Sequence, residues 1–549
     1  MLDDLDLSGI QDERARALLV RLLNLIEDLS ADLRAAQDEN QRLRDEINRL
    51  KGEQGKPTVK PNTPPPATDH SSERERHQPT ERIKRGKRAT ISIDREQLLR
   101  VDRAILPADA EFKGYEDVVV QDVVIRTDNI LFHKEVFYSP AHRQSYRAPL
   151  PRGYAGEFGP GVKALTLVLY FGCLMSEAKI RELFLNVGIQ IAEGTISNLL
   201  IKDQDAFHAE KDALYQAGLR SSPWQHLDDT PTRVNGQNQH CQVVCNPLYT
   251  AYHTTEAKDR LTILDVLRNG QPRRFRLNAE ALNYLSQVQI SHLTRQQLLR
   301  LPWEQDLDEG TLQQLLTTHL PNLGETQRKW IIDALAVAAY HAQTEWPIVR
   351  LLVVDDAPQF TWLTADLARC WIHEGRHYKK LTPWGASQRA ALDDFLTDFW
   401  DFSDDLLAAR ARPPPEDRVR RARAFDTRWA TETDYWALND RIAKPRAKKT
   451  AVLLVRVHPE IPWHNNPAEL GARQRVRKRD VSFGPRTAEG ASAWDTFMSL
   501  ADTTRKLGVS FYHFRLFRIC RGKHMFSGLV LARHKAMCQK RLVADLGEK

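Results

Sequence analysis

Residues 348–360 read IVRLLVVDDAPQF, and this stretch decides the fold class. Its apolar run ends at the acidic pair Asp355 and Asp356. So continuous a run of Val, Ile and Leu predicts a strand buried on both faces, which is typical of α/β proteins. Many α/β folds present a metal-binding carboxylate where such a strand ends. The stretch therefore predicts an α/β fold, with Asp355 as a candidate metal ligand.

Two further segments carry acidic residues in comparable places. The segments 225–234 (QHLDDTPTRV) and 239–253 (QHCQVVCNPLYTAYH) have β-rich, partly alternating character, and Asp228 lies in the first. In 464–479 (HNNPAELGARQRVRKR), Asn466 fits a helix N-cap and Glu469 the third helical position. A capping box between these two residues is an alternative explanation for Glu469.

Three carboxylates, from Asp228, Asp355 and Glu469, would suit metal-dependent chemistry on phosphate groups. Two Mg²⁺ ions held by carboxylates about 3.5–4 Å apart can activate a water or a 3′-hydroxyl and stabilise the leaving oxygen. Mg²⁺ prefers hard oxygen ligands and keeps positions open for phosphate. A single Asp-Asp pair is weak support, because such pairs also cap turns.

Residues 15–50 carry apolar residues at alternating spacings of four and three, which is the heptad pattern of a coiled coil. Asn40 lies at an a position, where a buried Asn costs stability but favours a parallel dimer in one register. The alternative is a helix packed on its own chain. The predicted dimerisation residues are Leu22, Ile26, Leu29, Leu33, Asn40, Leu43, Ile47 and Leu50.

Charge is informative here by position, because the net charge of the 549 residues is only +7. Residues 56–88 hold nine Lys or Arg against four acids, and 473–479 hold five with none. Such patches favour a polyanionic partner, although a solvated surface is the ordinary alternative. The Pro-rich, polar composition before residue 91 predicts a disordered linker.

The six cysteines include no Cys-x-x-Cys pair, so we expect reduced thiols and no zinc site. The acidic N-terminus has no signal-peptide features, and no apolar run reaches about 18 residues. We therefore expect a cytoplasmic protein with no membrane partner.

Between the linker and residue 220, the spacing of apolar residues changes from a strand pattern to a helical one. Residues 117–126 and 129–138 predict a β-hairpin across Asp128. Residues 161–202 predict three short helices, of which the last two resemble a helix-turn-helix with 192–202 as recognition helix. Plain scaffolding is an equally good interpretation of these helices.

Three motifs in this order resemble those of the insertion sequence 66 family of bacterial transposases. His226 to Pro231 is similar to the family's His-Ala-Asp-Glu-Thr-Pro motif, and Asp355 to Phe360 to its Asp-Gly-Tyr-x-x-Tyr motif. Asn465 to Glu469 matches Asn-Asn-x-Ala-Glu-Arg until Leu470 replaces the Arg. The resemblance covers most of the chain. It implies a ribonuclease-H-like catalytic domain in which Asp228, Asp355 and Glu469 hold two Mg²⁺ (or Mn²⁺) ions, with Asp229 a bystander.

The segment from Cys370 to Arg376 is similar to the family's Cys-x-x-His-x-Arg-Arg, although Gly375 replaces one Arg. Phosphate contact and packing are both open for its His and Arg. Many relatives carry a Cys-rich zinc module, but 137–151 here has no cysteine. The predicted DNA-binding residues are His373, Arg376, Arg473, Arg477, Lys478 and Arg479.

The spacing between the three acids, 127 and then 114 positions, predicts helical insertions near 270–345 and 383–450. The predicted organisation is a leucine-zipper coiled coil (1–53), a disordered basic linker (54–90), a β-rich module without a zinc motif (91–160), a helix-turn-helix-like region (161–220), the catalytic domain (221–480) and a helical basic tail (481–549).

The resemblance implies a transposase that cleaves double-stranded DNA at the ends of its element and joins the freed 3′-hydroxyl to target DNA. It also implies a nucleoid-associated homodimer or higher oligomer in the bacterial cytoplasm, with small accessory proteins encoded alongside. A catalytically inactive or domesticated DNA-binding dimer is one alternative. A nuclease of the same fold without strand transfer is another.

Overall fold

A computed structural model describes residues 12–50, 91–107, 109–154, 156–408, 415–458, 460–514, 519 and 528–533. The predicted linker, most of the chain beyond 514 and two cysteines, Cys520 and Cys538, lie outside the described residues. The side chains of Ile47 and Leu50 also lie outside them.

The N-terminal helix, α1 (Glu13–Leu50), is 38 residues long. Around Leu23 and Asn24 it packs on the same chain: Asn24 Nδ2 donates to the Asp434 carbonyl over 3.1 Å, and Gln388 Nε2 donates to Asn24 Oδ1 over 3.3 Å. Exposed heptad positions on a neighbouring face are Leu22, Leu29, Leu33 and Leu43. Packing on the same chain is therefore confirmed around Asn24, whereas the coiled coil along the exposed heptad positions stays a prediction.

The hairpin predicted over 117–126 and 129–138 is wrong, because 117–126 forms no strand and the second segment is in a strand only at its last three residues, 136–138. The hairpin lies further along, where β1 (Val136–Ser139) and β2 (Gln144–Arg147) pair antiparallel. Apolar side chains of the first segment, such as Val124, are exposed in the described structure. An apolar alternation alone does not produce a strand where no surface is present to bury it.

Four helices follow: α2 (Pro160–Leu167, continued by a π turn, Val168–Gly172), α3 (Glu177–Asn186), α4 (Glu193–Ile201) and α5 (Asp205–Arg220). The three helices predicted between 161 and 202 are present, and α4 coincides with the candidate recognition helix. Buried residues of these helices belong to the same hydrophobic cluster as the central sheet, for example Phe171 against Phe497 at 5.0 Å. The predicted boundary at 220 is therefore no boundary in the core.

From residue 224 the elements are, in chain order, β3 (Trp224–Val234), β4 (Gln237–Asn246), β5 (Tyr249–Thr255), α6 (Arg260–Leu267), β6 (Phe275–Arg276), α7 (Ala279–Ser286), α8 (His292–Leu298), β7 (Asp306–Leu307), α9 (Glu309–His319), α10 (Glu325–Ala342), β8 (Leu351–Val354), β9 (Asp366–Arg369), α11 (Trp371–Lys379), α12 (Ala386–Ala408), α13 (Pro415–Arg428), α14 (Trp436–Ala447), α15 (Lys449–Val452), α16 (Asn466–Ser482) and α17 (Ala488–Lys506). Helices occupy both stretches in which the sequence predicts them.

The central sheet is mixed and has five strands in the order β5-β4-β3-β8-β9. The strands β3, β4 and β5 form an antiparallel meander, and β8 joins β3 in parallel. β9 then pairs with β8, again in parallel. The fold is α/β as predicted; the middle strand β3 carries Asp228 and Asp229, and Asp355 and Asp356 directly follow its neighbour β8.

The buried strand β8 separates two hydrophobic clusters. Leu352 and Val354 belong to a cluster with α2–α5, α6–α10 and α17, whereas Leu351 and Val353 belong to a cluster with α11–α15. Successive side chains of a strand point to opposite faces, so both faces of β8 are covered by helices. This explains why the strand is apolar at consecutive positions.

Helix α17 covers the outer edge of β5, although the sequence placed it in a basic tail. The backbone N–H groups of Thr250, Tyr252 and Thr254 donate to Thr503 Oγ1, Ser499 Oγ and Asp495 Oδ2. These acceptors are four residues apart and share one helix face. They satisfy donors that an edge strand would otherwise leave without partners.

The Ser499→Ala variant should lower the free energy of unfolding by roughly 1–3 kcal/mol, because the Tyr252 N–H would become a buried donor without an acceptor. The control is Ser492→Ala on the same helix, where Ser492 is exposed and the change should stay within about 0.5 kcal/mol. Urea unfolding midpoints of the two variants measure the difference. Equal shifts would show that the contact does not hold the strand edge.

None of the helices in the described part of the chain is both long and apolar enough to cross a bilayer.

Candidate active site at the ends of the central strands

The strand register brings the first two predicted acids together. Trp224 pairs with Leu351, and His226 pairs with Val353. If this register is extended by two residues, Asp228 lies opposite Asp355. Side chains at paired positions lie on the same face, and adjacent strands are about 4.8 Å apart. Asp228 lies within β3, and Asp355 is the first residue after β8.

Glu469 comes to this site from α16. The helix has Asn465 as its N-cap, one residue earlier than predicted, and it has no side-chain capping hydrogen bond. The capping-box alternative for Glu469 is therefore wrong, because the carboxylate points elsewhere. Arg376 Nη1 donates to Glu469 Oε2 over 3.2 Å, and His373 Nδ1 lies 3.5 Å from Glu469 Oε1.

The pKa of Asp228 reports how these groups interact. Burial, together with the charges of Asp355 and Glu469, raises it from 3.8 to about 8. Desolvation and like charges both disfavour the ionised form of a carboxyl group. The charges of two acids predicted from distant segments, Asp355 and Glu469, therefore act on Asp228 in the folded chain.

The neighbouring acid of each Asp-Asp pair has a different environment. Asp229 Oδ2 lies 3.3 Å from Lys258 Nζ and 3.6 Å from His240 Nδ1. Asp356 forms ion pairs with three cationic groups, at 2.6, 3.0 and 3.7 Å, which are Lys448, Arg369 and Arg441. Burial alone would raise the pKa of Asp356, but the Lys448 hydrogen bond and these charges outweigh it and lower that pKa.

Asp228 and Asp355, by contrast, form no ion pair with any Lys, Arg or His in the described part of the chain. Asp228 Oδ1 accepts from the Asp229 N–H over 3.0 Å, and Asp355 Oδ1 accepts from the Ala357 N–H over 3.0 Å. Each Asp-Asp pair thus consists of one acid neutralised by cations and one acid that is not.

Asn465 holds the start of α16 against the sheet. Its Nδ2 donates to the Leu227 carbonyl over 2.8 Å, its Oδ1 lies 3.0 Å from His226 Nδ1, and its backbone N–H donates to Cys370 Sγ over 3.2 Å. Burial lowers the pKa of His226 to about 3, so its ring is neutral and Nδ1 carries the proton that Asn465 accepts. Sequence analysis assigned no role to Asn465 or His226, although both belong to the motifs.

A close helix–sheet contact completes the placement of Glu469. A Cβ added at Gly471 would lie 2.7 Å from Val243 Cγ1, and Val243 is the cross-strand partner of Asp228. Only glycine lets α16 approach the sheet this closely without displacement. The helix that carries Glu469 is therefore seated directly beside Asp228.

The predicted DNA-binding residues divide into two groups. Arg473 and Arg477 are exposed on α16, and Arg479 is half-buried with Nη1 donating to the Pro231 carbonyl over 2.5 Å. The prediction for Lys478 is wrong, because its side chain is buried. Its Nζ donates to the Met175 carbonyl over 2.9 Å and lies 3.1 Å from the Tyr170 ring centroid. Burial lowers the pKa of Lys478 to about 7.

The departure at Gly375 has a packing explanation. A Cβ at this position would overlap the indole ring of Trp400 on α12. No side chain, and least of all an arginine, fits there in this structure. Arg376 remains half-exposed beside Glu469, and His373 is partly buried on the same helix.

The chain matches no family model, and no solved structure matches it. It is similar to a protein of Sinorhizobium fredii (strain NBRC 101917 / NGR234) named "Uncharacterized protein y4jO", with 28% identity over 318 residues. The alignment covers 55% of this chain and 93% of that protein. Because that name states no activity, the function is argued from the geometry of the site.

The Asp228→Asn variant should be more stable than the wild type at pH 9 in buffer with a chelator, and the difference should shrink at pH 5. The folded-state pKa of about 8 lies above the unfolded value of 3.8, so ionisation of Asp228 opposes folding. Wild-type stability contributed by this group is lost as the pH rises between those two values. Thermal unfolding at both pH values measures the difference.

The matched control for this prediction is Asp229→Asn. Its carboxylate is paired with Lys258 and His240, so removing that charge should give no gain in stability at high pH. An equal gain for Asp228→Asn at pH 5 and pH 9 would contradict the predicted electrostatic strain.

Proposed function

We propose that this chain is a DDE transposase of the insertion sequence 66 type, with Asp228, Asp355 and Glu469 as its metal-binding carboxylates. Its central sheet would be a ribonuclease-H-like core. It would cleave double-stranded DNA at the ends of its element and transfer the 3′-hydroxyl to target DNA.

The observation that carries the proposal is the convergence of the three carboxylates. The register of β3 with β8 places Asp228 opposite Asp355, and the charge of Glu469 acts on Asp228. The three motifs are far apart along the chain, so chance resemblance would not be expected to bring them together. A mixed sheet with one carboxylate on its middle strand and another directly after the neighbouring strand is also what a ribonuclease-H-like core would present.

The residues fit Mg²⁺ by the chemistry of their donors. Asp228 and Asp355 form no ion pair within the described ranges, and Glu469 Oε1 has no hydrogen-bond partner there. These are hard oxygen donors in a partly buried site, as Mg²⁺ requires. Bound Mg²⁺ would supply Lewis-acid activation of the attacking oxygen and stabilisation of the leaving one.

The remaining side chains of the site would position the carboxylates and neutralise charge. Arg376 neutralises one oxygen of Glu469 and holds its carboxylate in place. Asn465 and His226 hold the start of α16 on β3. Exposed Arg473 and Arg477 follow Glu469 on the same helix and are available to phosphate oxygens of a DNA backbone. No covalent protein–DNA intermediate is required.

The test is cleavage and strand transfer with Mg²⁺ on DNA that carries the sequences flanking the gene. Asp228→Asn and Glu469→Gln should each lower the rate by roughly 100-fold or more, which is about 2.7 kcal/mol of activation free energy. Asp229→Asn is the matched control and should stay within about tenfold of the wild type, because that carboxylate is already paired with Lys258.

The outcomes separate the proposal from its alternatives. Equal rates in all variants would remove the carboxylates from the mechanism. Wild-type binding of the end DNA without any cleavage would favour the inactive DNA-binding dimer. Cleavage without strand transfer would favour a nuclease on the same scaffold.

The exposed heptad positions support a homodimer within this proposal. Leu29 is 67% exposed and Leu33 is 60% exposed, and both lie on one stripe of α1. Such a stripe is the surface that a second coiled-coil strand would bury. The helix would thus be anchored to its own chain near Asn24 and to a second copy along the heptad stripe.

The Leu29→Lys variant should change the solution mass from twice 63.0 kDa towards that of one chain, because a charge at a d position disrupts the apolar seam. Ala31→Lys introduces the same side chain at an exposed position outside the stripe and should leave the dimer intact. Size-exclusion chromatography with light scattering measures the masses. A wild-type monomer would contradict this part of the proposal.

A further inference from the structure

A second group of potential metal ligands lies beside the carboxylates. One ligand atom each from Cys370, His373 and Glu469 lies within 4.8 Å of the other two. Cys370 is the N-cap of α11, and His373 is the third residue of that helix. An N-cap side chain and the side chain three residues later converge at a helix start, which is the geometry that a capping box uses.

Two atoms of this group are buried without a partner. His373 Nδ1 and Glu469 Oε1 have no hydrogen-bond partner in the described part of the chain, and they lie 3.5 Å apart. A buried polar atom without a hydrogen-bond partner destabilises the folded state. The other oxygen of Glu469 is held by Arg376, so Oε1 alone faces the imidazole. A single bound cation would contact both His373 Nδ1 and Glu469 Oε1, and Cys370 offers a sulfur ligand close by.

We propose that a borderline divalent cation such as Zn²⁺ binds Cys370 Sγ, His373 Nδ1 and Glu469 Oε1. Sulfur and imidazole donors favour Zn²⁺, whereas Mg²⁺ takes oxygen donors and is poorly served by this set. Three protein ligands with a fourth position open is a common arrangement for Zn²⁺. The thiol of Cys370 releases its proton to solvent as the sulfur–metal bond forms.

The geometry allows this with small side-chain adjustments. Bond lengths of 2.0–2.3 Å in a tetrahedral site place ligand atoms roughly 3.3–3.8 Å apart. The separation of 3.5 Å between His373 Nδ1 and Glu469 Oε1 already agrees with that spacing, and the sulfur lies within 4.8 Å of a ring nitrogen of His373 and a carboxylate oxygen of Glu469. Cys370 and His373 also line a cavity together with Asp355 and Lys448.

The site has a consequence for the carboxylates, and this part rests on the proposed function. Glu469 is the one residue that both sets share. A Zn²⁺ ion bound to Cys370, His373 and Glu469 would withdraw Glu469 from Asp228 and Asp355, and would therefore inhibit a Mg²⁺-dependent reaction. The absence of Cys-x-x-Cys pairs, from which we expected no zinc site, does not bear on a set of one Cys, one His and one distant Glu.

The test of binding uses metal-free, full-length protein kept reduced with a phosphine and titrated with Co²⁺. Co²⁺ is a spectroscopic substitute for Zn²⁺, and a thiolate ligand gives it a sulfur-to-cobalt charge-transfer absorption. We expect this absorption to saturate at one ion per chain. Added Zn²⁺ should displace the Co²⁺ and remove the absorption, whereas an equal concentration of Mg²⁺ should not.

Variants assign the ligands. Cys370→Ser should abolish the absorption, while Cys173→Ser, at an exposed cysteine outside the site, should leave it unchanged. His373→Gln should keep the absorption but weaken Co²⁺ binding at least tenfold, which covers the case in which the Cys370 variant fails to fold. No absorption in the wild type, or full absorption in folded Cys370→Ser, would overturn the site.

Asp228→Asn separates this proposal from the proposed function. Asp228 is not a ligand of the second set, so the Co²⁺ absorption should persist in a variant that has lost Mg²⁺-dependent cleavage. In the cleavage assay, half-inhibition by Zn²⁺ should need at least tenfold more ion in Cys370→Ser, with each protein normalised to its own zinc-free rate. Inhibition at the same concentration in both proteins would overturn the inhibitory role while leaving the binding result to stand.

Discussion

Burial of Asp228 beside the charges of Asp355 and Glu469 is the constraint that the surrounding structure has to withstand. Burial and the two other charges raise the pKa of Asp228 to about 8, so the ionised cluster opposes folding. Separating the side chains would relieve the repulsion, but the register of β3 with β8 fixes two of them on one face. The third is fixed by the packing of α16. The free energy for this comes from the hydrophobic clusters on both faces of the sheet.

Contacts at Asn465 and Gly471 fix the position of the site on the sheet. Asn465 connects β3, the start of α11 and the start of α16 through three hydrogen bonds, and all three segments carry residues of the site. Gly471 permits the close approach of α16 to β4, six residues further along the chain. A disturbance at either position would move Glu469 relative to Asp228. The site is therefore held by the secondary structure elements themselves, which positions side chains more rigidly than loops do.

Sequence reasoning succeeded where one local signal determines the structure. The strand β8 is apolar at every position because both of its faces are covered, and that is visible as an uninterrupted run. The segment 239–253, by contrast, is two strands. Asn246 Oδ1 accepts from the Leu248 N–H over 2.8 Å and forms the turn between them, a signal that the Asn-Pro dipeptide already carried.

The other differences arise from tertiary contacts that no local pattern encodes. Lys478 belongs to a basic run, yet it is buried because α16 presses it onto Tyr170 and the Met175 carbonyl. Glu469 had the spacing of a capping box, but Arg376 on another helix takes its carboxylate. Likewise, the convergence of Cys370 and His373 with Glu469 joins residues almost 100 positions apart. Spacing along the chain could suggest these residues but not their partners.

The presence or absence of a cationic partner, rather than the direction of the pKa shift, distinguishes an ordinary ion-pair network from a ligand-binding cluster. Structural networks also perturb pKa values, so a shift alone does not indicate a functional site. In such a network buried acids are paired with cations, and the pKa shifts either way: that of Asp356 falls beside Lys448 and Arg369, whereas burial raises that of Glu374 to about 7 despite Arg441. Asp228 has no cationic ion-pair partner in the described part of the chain, and burial with the charges of Asp355 and Glu469 raises its pKa. Protonation relieves this at low pH, and a bound divalent cation would supply the positive charge at higher pH. His373 Nδ1 and Glu469 Oε1 likewise have no hydrogen-bond partner in the described part of the chain, and a bound cation would satisfy both atoms.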